Sequence, residues 1–98
     1  SDGVRDAIEV ARRRGAAVTV FDEGGLDDVS ETRKAAIREE LASVLRGTDA
    51  ERIIIRAAKN PHTAVTVVGR AGTGVASDDD AVDVWHEIAR EEHGAARG

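Results

Sequence analysis

The chain has 98 residues, of which 41% are hydrophobic and 34% charged, a balance that supports one core, is too short for two, and excludes disorder except at the ends. A net charge of −5 argues against a phosphate-backbone partner, and one Phe with one Trp leaves no stacking platform for single-stranded nucleic acid. The absence of cysteine excludes disulfide and thiol chemistry.

No residue is Met, position 1 included, which points to a single domain excised from a larger protein, with Ser1 a cloning remnant. Arginine outnumbers lysine 12 to 2, the bias of a GC-rich bacterial genome. No apolar run approaches the roughly 20 residues that span a bilayer, so a membrane would be met only through missing parent segments.

Asp2 to Arg14 is expected to be a helix, because Val4, Ile8 and Ala11 fall on one face, Asp2 can cap it and Gly15 ends it. The run Arg12, Arg13 and Arg14 suits the negative end of that helix, or alternatively an acidic partner or lipid headgroups. Ala16 to Phe21 follows as a strand, placed central or near-central by its Val, Thr and Phe content. Asp22 to Asp28, with Gly24 and Gly25 among four acids, reads as a flexible loop. A second helix is predicted over Val29 to Arg46, capped by Asp28 with Glu31 and burying Ile37, Leu41, Val44 and Leu45 before Gly47.

The stretch Glu51 to Gly74 carries the strongest strand signals. Ile53, Ile54 and Ile55 form a β-branched run, and Thr63 to Val68 alternates with period two. Between them Lys59, Asn60, Pro61 and His62 are turn chemistry, so the two runs form an antiparallel hairpin. Beyond Gly74, Ser77 and Asp80 cap a predicted final helix marked by Val82, Trp85, Ile88 and Ala89, with Trp85 its core anchor. Residues 94–98 read as a frayed tail or linker.

The expected architecture is therefore α/β (α+β), in the order α-β-α-β-β-α. Three helices cover a mixed sheet of three to four strands in a two- or three-layer sandwich. The strand-helix-strand crossover makes the first pairing parallel.

Candidate sites are few. Gly69, Arg70, Gly72, Thr73 and Gly74 lie where phosphate-cradling loops occur, but the spacing G-x-x-G-x-G is not the dinucleotide fingerprint. Three aspartates downstream would repel a phosphate. This segment is read as a hairpin exit and candidate interaction loop. Asp78, Asp79 and Asp80, joined by Asp22 or Glu23, form an oxygen-rich set that could hold Ca²⁺ or Mg²⁺, although acids are also what a helix N-terminus prefers, so capping explains them without any metal. The segment from His86 to His93 lacks the H-E-x-x-H pair, since Arg90 stands four after His86, and reads as a solvated helix face. No nucleophile elbow or Ser, His and Asp constellation is present.

The order of Val18 to Asp22, the helix from Val29, Ile53 to Ala57, and Val65 to Gly69 followed by Gly72 resembles the TPM domain. This is the phosphatase-like module of bacterial and chloroplast membrane-associated proteins, and the resemblance spans roughly Val4 to His93. The family's aromatic-Gly segment is reduced here to Gly47, and the second Gly of the exit is displaced by one position. The resemblance implies an extracytoplasmic, membrane-tethered accessory or assembly module, with phosphatase activity in some members.

The function expected from these residues is a non-catalytic interaction domain that contacts a protein partner through a sheet edge or the Gly69 to Gly74 loop. The alternatives are a divalent-metal-dependent, phosphatase-like domain using Asp22, Asp78, Asp79 and Asp80, and a structural unit of a larger assembly.

Overall fold

The computed structural model describes residues 3–70 and 82–91. Six elements follow in order: α1 (Gly3–Arg13), β1 (Ala17–Glu23), α2 (Glu31–Gly47), β2 (Arg52–Ala58), β3 (Thr63–Arg70) and β4 (Val82–Ala89). The result is an α/β domain of two helices and a four-stranded mixed sheet, ordered α-β-α-β-β-β.

The expected final helix is a strand. Val82, Trp85, Ile88 and Ala89 fit a helical stripe, but the same segment also alternates: Ile88 is buried, Glu87 and Trp85 are exposed, and His86 is half-buried. Its Val, Trp and Ile content favours the pleated form, and pairing with β3 satisfies a backbone edge that a helix would leave open. The Ser77 and Asp80 cap lies outside the described residues. So does the tail at 94–98.

Strand order is β1-β2-β3-β4. β1 pairs parallel to β2, as the crossover through α2 requires, while β2–β3 and β3–β4 are antiparallel. The hairpin turn is as expected: Asn60 Oδ1 accepts from the amides of His62 at 2.8 Å and Thr63 at 2.9 Å. β1, expected near the centre, is an edge strand among the described residues. Only Val18 of its seven residues is buried, because a single neighbour and one covering layer shield it.

Both helices pack on one face, making two layers among the described residues. Val18, Ile53, Ile55, Val65, Val67 and Ile88 from the sheet meet Ala7 and Ala11 of α1 and Ile37, Leu41, Ala42 and Leu45 of α2 in one core. The predicted faces are close: Val4, Ile8 and Val44 pack at the margin, while Ala7 and Ala42 take buried places, small side chains that let the helices approach.

The caps show where local chemistry differs from expectation. Ser30, not Asp28, is the N-cap of α2; its side chain accepts from Arg33 N at 3.1 Å. Asp28 lies in a turn two residues earlier. Gly15 ends α1 with φ +102°, the left-handed conformation that favours glycine. Arg12 and Arg14 are exposed but engaged with backbone carbonyls. Arg12 Nη2 donates to Val18 O at 2.8 Å, and Arg14 donates to the carbonyls of Thr48, Asp49 and Ala50. Arg12 thus satisfies a backbone oxygen of β1 and Arg14 those of the connector that follows α2, so only Arg13 of the triplet is uncommitted in these contacts.

Candidate functional site

The loop after β1 is held in place. Gly24 adopts φ +86° and bridges to Ala58, and Gly25 N donates to Ala57 O at 3.0 Å. Arg90 clasps the same region: Nη1 donates to Gly25 O at 2.7 Å and Nε to Asn60 O at 2.8 Å. Arg90 was expected on a solvated helix face. It instead ties the end of β4 to two loops. His86, expected on that same face, lies on the helix-covered side of β4, with Nε2 at 2.7 Å from Glu40 Oε2 of α2.

The metal set is not assembled among the described residues. Asp22 and Glu23 are consecutive on a strand and therefore point to opposite faces. Asp22 Oδ1 accepts from Gly24 N at 3.2 Å, shaping the turn, and Glu23 lies 3.7 Å from Arg56 Nη1 on the other side. No group of three or more His, Asp or Glu residues gathers among the described residues. Asp78, Asp79 and Asp80 lie outside them, as do Gly72, Thr73 and Gly74.

The remaining members of the expected interaction loop belong to β3. Gly69 is buried, and a Cβ there would stand 2.6 Å from Val84 Cγ1 and 2.8 Å from Ala50 Cβ. Close packing, not a mobile loop, requires this glycine. Arg70 is the last residue of the strand and half-buried.

Two concavities deserve comparison. A groove of about 780 Å³ runs between α1 and the sheet, with Ile37, Leu41 and Ile55 in its floor. Its rim mixes Arg5, Arg12 and Arg38 with Glu9 and Asp22. Arg12 and Asp22 are already engaged with the backbone, so the rim converges on no ligand chemistry.

The opposite face of the sheet is different. Strand register places Thr19, Ile54, Val68 and Trp85 side by side, one from each strand, in a continuous row. Among the described residues nothing packs on this row. Trp85 is 62% exposed and Ile54 39%. The next row runs Phe21, Arg56, Thr66 and Glu87. Here Arg56 stacks over the Phe21 ring at 4.8 Å, while Trp85 Nε1 donates to Glu87 Oε2 at 3.2 Å. On the other side lie Ala17, Arg52 and Arg70. Between this last row and the apolar row lies a shallow hollow of about 380 Å³, lined by Ala17, Thr19, Ile54, Val68 and the two arginines.

Trp85 was expected as a core anchor, and the strand assignment reverses its role. A half-wet indole beside aliphatic side chains is the composition of an interface centre. Alternation along Val84 to Ile88 was the one signal that could have found it. No helix among the described residues is long and apolar enough to cross a membrane. No family model, no curated protein and no solved structure matches the chain.

Proposed function

We propose that this chain is a non-catalytic interaction domain of a larger protein, and that it takes a protein partner on the open face of its sheet. One observation carries the reading: a row of side chains crosses all four strands, and three of its four members, Ile54, Val68 and Trp85, are apolar, the last an exposed tryptophan. Sheet faces that bury one side normally carry polar residues on the other. Here Ile54 and Val68 occupy the wet side at the centre of the sheet and Trp85 extends the patch onto β4, so that covering them from water would be favourable.

Panning a displayed library of random peptides on the domain tests this. Binders are expected to lose at least about tenfold in affinity on Trp85→Thr, the size of effect typical of a central aromatic anchor. Retention indifferent to that substitution would sink the reading.

The TPM-like alternative, a divalent-metal-dependent phosphatase-like domain, needs Asp22 together with Asp78, Asp79 and Asp80. The engagement of Asp22 Oδ1 by the Gly24 amide favours a turn-forming role instead. A melting temperature raised by millimolar Ca²⁺ or Mg²⁺, and no longer raised in Asp79→Ala with Asp80→Ala, would favour the metal reading. A structural unit of a larger assembly would declare itself by stable oligomers in light scattering.

A further inference from the structure

We infer that the partner of the open face is an acidic amphipathic segment, with its carboxylates held by Arg52 and Arg70 and its aliphatic side chains lying along Ile54 and Val68. The inference rests on the proposal that this face is the interaction surface, and names the chemistry of what binds there.

Register makes Arg52 and Arg70 direct cross-strand neighbours on the open face. Like charges directly opposite each other on a sheet are destabilising. A domain with 19 acidic residues to draw on neutralises neither of these two among the described residues, whereas the next arginine along β2, Arg56, has Glu23 and Phe21. The unfavourable pair is therefore local and specific. A local rule broken without compensation among the described residues marks a place for compensation by a partner.

Geometry defines what can supply it. The two guanidiniums border the hollow, whose other walls are Ala17, Thr19, Ile54 and Val68. A carboxylate at the arginines thus places adjoining aliphatic groups on the apolar row. Two forked donors suit carboxylate oxygens well, and the charge-assisted bonds are stronger than neutral ones. A register shift in the β3–β4 pairing falls between Gly69 and Arg70, the kind of irregularity that re-aims a side chain at a strand end. The rest of the molecule carries net negative charge, so an acidic segment is repelled elsewhere and admitted here. That contrast supplies specificity more than affinity.

The test uses the 98-residue chain and its own fluorescence, since Trp85 is the single Trp and there is no Tyr. Three peptides of about 14 residues, roughly four helical turns, share one Leu stripe and carry Glu, Gln or Lys at every polar position. The Glu peptide is expected to shift Trp85 emission at about tenfold lower concentration than the Gln peptide, and to weaken as salt is added. Arg52→Glu with Arg70→Glu should transfer the preference to the Lys peptide. Circular dichroism checks that variant's fold; if it unfolds, Arg52→Gln and Arg70→Gln carry the test, each expected to weaken the Glu peptide severalfold and leave the Gln peptide unchanged.

Equal binding of the Glu and Gln peptides, or a preference that survives both arginine changes, overturns the inference while leaving the face as the interaction surface. So does an oligothymidylate that outcompetes the Glu peptide, which would make the pair a phosphate site. Failure of all three peptides, with library binders still dependent on Trp85, overturns it too. Library binders indifferent to Trp85→Thr remove the underlying reading itself.

Discussion

Ile53 and Ile54 are adjacent, chemically identical, and opposite in circumstance. Ile53 is fully buried beneath the helices, whereas Ile54 is 39% exposed on the far side of the same strand. The row through Ile53 runs Val18, Ile53, Gly69 and Val84; the row through Ile54 runs Thr19, Ile54, Val68 and Trp85. The covered row narrows to a glycine because Val84 of β4 and Ala50 of the connector after α2 press on it. The open row widens to an indole because nothing described lies above it. Volume on one side is limited by packing, and on the other it is free to serve a partner.

The largest expected effect tests the covered side. Ile53→Ala should destabilise the domain by about 2–5 kcal/mol, the range for removing a buried aliphatic chain, while Ile54→Ala should cost less than about 1 kcal/mol. Urea denaturation of the two variants measures the difference, and equal midpoints would erase the distinction between the faces. Next comes an addition instead of a deletion. Gly69→Ala pushes a methyl against Val84 and Ala50 and should cost roughly 1–3 kcal/mol by overpacking, read as a lowered melting temperature.

Smaller effects sharpen the contrast. Glu40→Ala removes the 2.7 Å contact to His86 that links α2 to β4; both side chains are only half-buried, so the loss should stay below about 1 kcal/mol in a thermal melt. Trp85→Thr preserves strand preference and removes only the exposed ring. Its effect on stability should lie within about 0.5 kcal/mol, even though the same change is expected to weaken peptide capture at least about tenfold. A melting temperature lowered as much as by Ile53→Ala would return Trp85 to the core.

Local chemistry was a reliable guide where one residue decides the outcome. Asn60 accepting two amides makes the hairpin turn, and Gly15 with its positive φ stops α1; both can be read from residue type alone. The crossover dictated a parallel first pair. The last element was misread because Val82, Trp85, Ile88 and Ala89 satisfy a helical stripe and a strand equally, and only the unpaired edge of β3 decides between them. The candidate site was harder to see for a related reason. Thr19, Ile54, Val68 and Trp85 are scattered over most of the chain, and Arg52 and Arg70 look like two ordinary surface arginines until register sets them side by side. Asp22 stands among acids in the sequence, and in the fold one of its oxygens accepts from the Gly24 amide.

β1 makes a last point through its place at the rim of the sheet. It holds to a single neighbour, in the parallel arrangement that is slightly weaker per residue, and reaches that neighbour only after a whole helix has been laid down. β2, β3 and β4 form a meander of local antiparallel contacts. Amide hydrogen exchange should therefore divide the molecule into a slow meander and a faster-opening unit made of α1 and β1. Three of the four residues in the apolar row, and both arginines of the facing pair, belong to the slow unit. The proposed binding surface would persist through the opening events that release α1 and β1.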